Sequence, residues 1–397
     1  MCPQIRFDPI DISDRLKLLD GSKSIGPDNI HPYVLKQCAI SFSYPLCLLF
    51  QLSLDADVVP STWKLANITP VHKSGSKLST NNYRGISLTS VLCKLFERIL
   101  GSHILNYLSV NKILSSNQHG FVSHLSTTTN LLESMDIITG ALNKGCGVDV
   151  IYLDFIKAFD RVAHARLAIK LKEVGITGSL LSWCVSILAN RKQRVIMGNN
   201  VGDWMSIESG VPQGSVLGPL FFIIYINDLI KTIDIPIKVY ADDTKLILVY
   251  EDTLECIALQ NAIDLIHMWT KTFLLYLNIE KCKVLHFGSS KYQNNKISYY
   301  LNGIRIQPFD SEKDLGILVN YNLNWTQHIT KICINATHWL KVIHKCFQFK
   351  SLEVIKKLYT SIIRPKLEYA AVIWNPSTSK CISMLEKIQR RCLKVGS

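Results

Sequence analysis

Two adjacent carboxylates at the tip of a predicted β-hairpin are the residues of this sequence best placed to do chemistry. An apolar run precedes Asp242 and Asp243 and another, at 246–250, follows them, a pattern typical of two strands joined by a tight turn. A third carboxylate, Asp154, ends a similar apolar run at 148–153. Mg²⁺ takes one or two protein carboxylates together with substrate phosphates. These residues therefore indicate phosphoryl transfer on a nucleic acid.

The chemistry that such carboxylates support is in-line displacement at phosphorus. Two divalent ions about 3.5–4 Å apart can activate an attacking hydroxyl and stabilise the leaving oxygen. Asp154 and Asp242 would supply ligands, and Asp243 adds negative charge at the tip. Lys73 and Arg84 are predicted to lie on a loop that folds over a triphosphate, where arginine suits bidentate phosphate contact.

The elements between residues 148 and 287 explain how distant carboxylates could meet. Strand and helix signals alternate there as β-α-β-β-α-β, with strands at 148–155 and 283–287 and a buried helix at 216–230. This order predicts one antiparallel sheet in which the end of the first strand lies beside the hairpin tip. Upstream, residues 61–85 are predicted to be loop, and residues 86–109 a helix with one apolar face.

Composition limits the class of protein. A chain of 397 residues with 48% hydrophobic residues can form two or three domains with sizeable cores and is not disordered. Its twelve cysteines contain no CxxC pair, which suits reduced thiols. The N-terminus has no signal-peptide core, and the longest apolar run is too short to cross a bilayer. We expect an intracellular protein without a membrane partner, and both nucleus and cytoplasm stay open.

The positive charge is concentrated near the C-terminus. The formal net charge is +13, and residues 331–397 contain 13 Lys and Arg against 3 Asp and Glu. A basic helical segment in a chain with a carboxylate site favours a phosphate-backbone partner held by a salt-sensitive interaction. For a basic tail taken alone, a solvated helix face is an equally good interpretation.

The motifs, taken in order, resemble the reverse transcriptases of non-LTR (LINE-type) retrotransposons, and most closely the jockey-like insect group. Three segments carry most of the resemblance: 153–160 is similar to motif A, 210–220 to motif B, and 240–243 to motif C. The remaining segments that match, in chain order, are Ser24–Asp28 at the entry, Trp63 with Ile68–Lys73 and Asn82–Leu88 in the fingers, Gln118–Phe121 with Ser126 and Thr127, Leu277–Lys283 as motif D, and Leu315 and Gly316 with Trp325 and His328 at the primer grip.

The resemblance implies a role for each matching residue in RNA-templated DNA synthesis. Asp154 and Asp242 would bind two Mg²⁺ ions, or Mn²⁺ in their place, with the Phe155 carbonyl assisting and Asp243 supporting. The other roles are as follows: Lys73 and Arg84 would hold the triphosphate, Phe159 would exclude a ribose 2′-OH, Gln213 and Gly214 would line the nascent base pair, and Lys281 would give a proton to the leaving pyrophosphate.

The resemblance also implies an α+β right-hand polymerase with fingers, a palm built on an antiparallel sheet, and a helical thumb. We assign 1–145 to an N-terminal extension and fingers, 146–322 to the palm with a fingers insertion around 161–212, and 323–397 to the basic thumb. Its partners would be an RNA template, a DNA primer and dNTPs. We expect the chain to end inside or just after the thumb, at Gly396 and Ser397, and an endonuclease to be supplied from elsewhere.

Three other functions stay open on the sequence. A retrotransposon remnant could retain nucleic-acid binding without catalysis. An intron-maturase-like enzyme or an RNA-templated RNA polymerase would share the fold class, although Phe159 and motif B favour deoxynucleotides over the latter. A metal-dependent nuclease would leave Lys73 and Arg84 without a role.

Overall fold

The computed structural model describes residues 1–347 and 351–393, which form an α+β fold. The predicted end of the thumb at Gly396 and Ser397 lies outside these described residues. In chain order the α-helices are α1 (Pro9–Lys17), α2 (Pro32–Gln37), α3 (Ala39–Asp55), α4 (Val91–Val110), α5 (Thr127–Asn143), α6 (His164–Glu173), α7 (Gly178–Leu188), α8 (Leu217–Lys231), α9 (Cys256–Phe273), α10 (Ser290–Asn294), α11 (Thr326–Cys346), α12 (Leu352–Leu358), α13 (Arg364–Glu368), α14 (Ala371–Trp374) and α15 (Ser379–Leu393).

The strands belong to two larger sheets and two short ribbons. Strands β1, β2, β4, β5 and β6 form the first sheet, and β12-β9-β3-β8-β7 is the order of the second, while β10 pairs with β11 and β13 with β14. Their bounds are β1 (Leu65–His72), β2 (Tyr83–Leu88), β3 (Gly147–Leu153), β4 (Arg191–Met197), β5 (Asn200–Val201), β6 (Met205–Ile207), β7 (Ile237–Tyr240), β8 (Asp243–Tyr250), β9 (Lys283–Phe287), β10 (Tyr300–Leu301), β11 (Ile304–Arg305), β12 (Gln307–Pro308), β13 (Ser311–Asp314) and β14 (Ile317–Asn320).

The described chain divides into two compact units. The first unit comprises Met1–Ser123, Phe155–Asp234 and Leu265–Asn278 and contains the first sheet. The second unit comprises His124–Asp154, Ile235–Asp264 and the described residues from Ile279 onward, and it contains the second sheet. The assignment of residues to fingers, palm and thumb stays a prediction.

The first unit has an aromatic centre between its helices. Phe96 on α4 packs against Phe50, Trp63 and Trp183, with ring centroids 5.0, 5.6 and 4.6 Å away. Trp183 also donates its indole N–H to the Ser53 hydroxyl at 3.0 Å, so its one polar atom is satisfied inside the core. This packing anchors α3, α4 and α7 to one another.

The predicted loop at 61–85 is wrong, because most of it forms strands. β1 and β2 pair antiparallel from Asn67↔Leu88 to His72↔Tyr83. Pro70 obscured the strand signal, since proline cannot donate to a ladder. The strand tolerates it because β4 pairs only with Leu65 to Ile68 of β1, which leaves Pro70 beyond that register. The predicted helix at 86–109 consequently begins later, at α4.

The second unit is organised around β3, the middle strand of its sheet. β3 pairs antiparallel with β8 on one side and with β9 on the other, as the alternating strand and helix signals predicted. Helix α5 and the helices from α11 onward bury its apolar residues, among them Val148 and Val150, in one core. The central position of β3 fixes where its last residue, Leu153, and the following Asp154 lie.

Candidate active site

The predicted hairpin with acids at its tip is confirmed. β7 and β8 pair as far as Tyr240↔Asp243, so Ala241 and Asp242 form a two-residue turn. Of these two residues Ala241 has a positive φ, 57°, and Asp242 does not, which is the pattern of a type II′ turn. Asn130 on α5 donates to the Val239 carbonyl at 3.2 Å and fixes the strand just before the turn.

Asp154 lies beside this hairpin because of strand register. The β3–β8 ladder ends at Leu153↔Thr244, so Asp154 follows where β8 begins with Asp243. Desolvation by the surrounding protein raises the pKa of Asp243 to about 6, and the charges of Asp242, Asp314 and Asp154 add to the rise. The structure therefore crowds four carboxylates, within the second unit, at one end of the two strands.

Lysines partly balance these carboxylates. The Lys281 ammonium lies 3.6 Å from Asp154 Oδ1, and the Asp154 side chain is 41% exposed. Lys245 forms a buried ion pair with Asp314, at 2.5 Å. Together these side chains line a pocket of about 160 Å³ that also includes Asp243. Asp154 is thus accessible to a bound molecule, and a cation is already next to it.

The carboxylates around Asp243 meet part of what a divalent cation requires. Carboxylates that repel one another, and that reach solvent, are the oxygen ligands that Mg²⁺ prefers. Within residues 1–347 and 351–393, no group of three or more His, Cys, Asp or Glu is arranged to hold a metal ion by itself. Mg²⁺ usually completes its coordination with water and substrate phosphates. Asp154 lines the pocket and the charge of Asp242 acts on Asp243 from the turn, and both stay predicted ligands of such an incomplete set.

The first unit fixes the predicted motif B residues tightly. The Gln213 side chain donates to Asp160 Oδ1 at 3.0 Å, and its carbonyl accepts from Ser87 N on β2 at 2.8 Å. Gly214 has a φ of 125°, and a Cβ built there would lie 2.5 Å from the Ser87 carbonyl oxygen. The loop at 210–215 therefore contacts β2 so closely that only glycine fits at position 214.

Phe159 is held as a rigid side chain. Its ring stacks on Phe222 of α8 with centroids 4.5 Å apart and an interplanar angle of 20°, and Phe121 meets it edge-on at 6.5 Å. Its carbonyl accepts from Val211 N at 2.7 Å, which ties motif A to motif B within the first unit. Phe155, which directly follows Asp154, is buried, and its backbone pairs with Leu277.

Lys73 and Arg84 lie on one face of the β1–β2 pair. Arg84 pairs with Val71, and Lys73 N donates to the Asn82 carbonyl at 2.8 Å just beyond the last strand pair. Residues two apart on a strand share a face, so Lys73, Val71 and Arg84 point the same way. Both cations are exposed. Two cations on one face suit an anionic ligand, but Arg84 stands on a strand rather than on the loop that the sequence predicted.

The sequence of this chain matches a known protein family. The model of the family described as reverse transcriptase (RNA-dependent DNA polymerase) matches residues 71–317, more than half of the chain. The chain belongs to the reverse transcriptase family. The match includes motifs A, B and C together with Lys73 and Arg84.

Several relatives of this chain are proteins of insect mobile elements. It is 28% identical to the RNA-directed DNA polymerase from mobile element jockey of Drosophila melanogaster, over 92% of this chain and 41% of that protein. The probable RNA-directed DNA polymerases from transposon BS and transposon X-element of the same organism are 26% and 24% identical, over 97% and 99% of this chain and 44% of each relative. The predicted likeness to the jockey-like group is confirmed. The chain spans less than half the length of these relatives.

A solved structure of apo telomerase from Candida tropicalis, truncated from its C-terminal domain, is also similar. It is 13% identical, with a TM-score of 0.46, and the likeness covers 66% of this chain and 54% of that one.

Several charged residues near the predicted site residues were not predicted from the sequence. Asp314 and Lys245 form a buried pair next to Asp243, and Asp160 orients Gln213. Asp160 lies in the motif A segment itself, which was a usable signal. Asp314 had none, because its partner is distant in sequence and the pairing exists only once β13 has folded near β8.

The raised pKa of Asp243 predicts a stability effect that depends on pH. Because its folded pKa lies above the ordinary value of 3.8, its contribution to stability is full below pH 4 and is lost as pH rises through about 6. Asp243→Asn should therefore raise the free energy of unfolding at pH 7.5 by roughly 1 kcal/mol, after allowance for solvent screening. The gain should shrink at pH 5. Thermal unfolding without divalent metal at the two pH values measures it.

Asp203→Asn is the matched control for this prediction. Asp203 is also an exposed carboxylate, but it stands outside the pocket. Its replacement should leave the unfolding temperature unchanged at both pH values. An Asp243→Asn protein that is no more stable than wild type at pH 7.5 would show that the repulsion is screened away.

Proposed function

We propose that this chain is an RNA-directed DNA polymerase that adds deoxynucleotides to a primer 3′-OH by two-metal-ion nucleotidyl transfer. The observation that carries the proposal is the meeting of Asp154, Asp242 and Asp243 at one end of the β3–β8 ladder, in a chain of the reverse transcriptase family. Carboxylates grouped in this way provide the oxygen ligands that the reaction requires.

In the proposed mechanism Asp154 and Asp242 would hold two Mg²⁺ ions, or Mn²⁺, with help from the Phe155 carbonyl and from Asp243. When bound, the ions activate the primer 3′-OH and stabilise the leaving pyrophosphate. Lys281, 3.6 Å from Asp154, is the proposed proton donor to the pyrophosphate. Its exposed ammonium stands next to the Asp154 carboxylate, at the edge of the pocket where the pyrophosphate would leave.

The first-unit residues are assigned to the nucleotide and the template. Lys73 and Arg84 would contact the triphosphate, because both are exposed cations on one face of β1–β2. Gln213 and Gly214 would line the nascent base pair. Phe159 would stand against the sugar, and its stacking on Phe222 supplies the rigidity that a steric filter needs.

We further propose a right-hand arrangement of fingers, palm and thumb, with α11 and the following helices as the thumb. These helices carry much of the excess positive charge, which suits contact with the template–primer backbone. No helix in the described part of the chain has both the length and the apolar character needed to span a membrane. The need for a separate endonuclease and the intracellular location stay predictions.

A primer-extension experiment tests the proposed function. Purified protein is given an RNA template, an annealed DNA primer, dNTPs and Mg²⁺, and extension is followed with and without EDTA. We expect extension that EDTA abolishes. Binding of the template–primer that weakens with salt, but without any extension under these conditions, would instead favour the non-catalytic binding protein. Extension with ribonucleotides in preference to dNTPs would favour an RNA polymerase.

A further inference from the structure

A buried carboxylate caps the helix that follows motif B. Glu97 on α4 is 2% exposed, and its Oε2 accepts from Val216 N at 2.6 Å and from Leu217 N at 3.4 Å. These N–H groups open helix α8, where the N-cap residue is valine and offers no side-chain acceptor. Free N–H groups at a helix start need acceptors and attract negative charge. Glu97 supplies both from another helix.

A buried arginine accompanies this carboxylate. Arg191, at the start of β4, is 2% exposed, and its Nη1 donates to the Ile187 carbonyl at 3.3 Å. Its Nε and Nη2 are buried and have no hydrogen-bond partner among the described residues. Burial raises the pKa of Glu97, while the α8 N–H groups and the Arg191 charge oppose that rise. The other titratable groups that interact with the two include Cys93, Lys94, Cys184 and Lys64.

The helix start is mechanically connected to the predicted nucleotide-binding loop. Ser215 Oγ accepts from Gly218 N at 2.9 Å, and this hydrogen bond joins the end of the loop to the first turn of α8. Upstream, Gln213 is bonded to Ser87 and to Asp160. Arg191 and Gln213 also line the same pocket, of about 430 Å³. A shift of the first turn of α8 would therefore move Gln213 and Gly214.

We propose that Glu97, together with Arg191, positions the loop at 210–215 by fixing the first turn of α8, and thereby sets how tightly the incoming nucleotide is bound. Glu97 is a positioning residue, since it acts through the loop and is itself buried. The inference rests on the proposed function. A residue that only capped the helix would change the stability of the first unit without changing nucleotide binding.

The test uses Glu97→Gln in the full chain. Glutamine has the size of glutamate and keeps one acceptor oxygen, but it removes the charge that the α8 N–H groups contact and that interacts electrostatically with Arg191. We expect the KM for dNTP to rise about tenfold while kcat changes less than about twofold, the size expected for loss of a charged hydrogen bond. Hydrogen exchange of the amides at 213–217 should become faster.

Leu108→Ala is the matched control. Leu108 is fully buried on the same helix, roughly 16 Å further along its axis, so its truncation destabilises the unit without touching the loop. It should lower the unfolding temperature and leave both the KM and the exchange at 213–217 unchanged. Arg191→Lys, which keeps the charge but not the guanidinium plane, should raise the KM in the same direction.

Two results would overturn the proposal. One is a Glu97→Gln protein whose KM and loop exchange match wild type, whatever its stability. The other is an equal effect from Leu108→Ala, which would mean that loosening the unit anywhere disturbs the loop. If the wild-type protein shows no extension at all, the proposed function fails, and the exchange measurement still decides whether Glu97 fixes the loop.

Discussion

Replacing Asp242 by asparagine is expected to reduce primer extension on an RNA template by at least about 10³-fold, with the affinity for the template–primer little changed. Asparagine matches the shape of aspartate but lacks the charge that, in the proposed mechanism, would hold Mg²⁺ at the site. Loss of several kcal/mol of transition-state stabilisation corresponds to this factor. Single-turnover extension at saturating dNTP, beside a filter-binding titration of the template–primer, measures the two quantities.

Asp234→Asn is the control for that prediction, because Asp234 is an exposed carboxylate shortly before the same hairpin and outside its turn. Its extension rate should equal that of wild type. If the Asp242→Asn protein kept more than about a tenth of wild-type extension, Asp242 could not be a required metal ligand. The two-metal assignment would then have to move to other carboxylates.

Replacing Phe159 by alanine is expected to raise the incorporation of ribonucleotides relative to deoxynucleotides by about 100-fold. In the proposed position against the sugar, the stack of the ring on Phe222, 4.5 Å between centroids, would oppose its rotation away from an added hydroxyl. Alanine leaves room for the 2′-OH and removes nothing that a deoxyribose requires. The measurement is kcat/KM for ATP and dATP opposite the same template base.

Phe159→Tyr keeps the ring and should keep the discrimination, which separates sugar exclusion from general damage to the site. Phe222→Leu asks a further question, since it preserves the Phe159 ring but removes the surface on which it stacks. An intermediate loss of discrimination is expected there. Unchanged sugar preference in Phe159→Ala would show that Phe159 does not exclude the 2′-OH and that its ring serves only in core packing.

The sequence predicted the elements whose signals are local. Alternating apolar runs located β3, β7, β8 and β9, and the order of strands and helices was enough to bring Asp154 beside the hairpin. The motif resemblance, which the family match confirms, assigned roles to the residues around them. Such features follow from periodicity and turn chemistry within short segments, which sequence reasoning handles well.

Polar pairs between residues far apart in the chain could not be predicted from local sequence patterns. The partners of Lys245 and Glu97 are 69 and 119 or more residues away, at Asp314 and at the start of α8. A charged residue on an apolar helix face, as Glu97 is among Cys93, Leu100 and Ile104, signals that a partner exists but does not identify it. β1 was missed for a different reason. Pro70 obscures its strand pattern, and the fold tolerates this proline because only β2 pairs with that part of β1.

The close approach at Gly214 has a consequence for which sequence changes the fold can tolerate. Any side chain at that position would overlap the Ser87 carbonyl, 2.5 Å from a Cβ, and would have to adopt a φ of 125°. No rotamer change relieves such an overlap, because the obstacle is backbone. A substitution at position 214 therefore disturbs the loop at 210–215 at once, whereas the exposed surface can accept many changes first. The residue at 214 is therefore a sensitive indicator of whether a related sequence can form this loop.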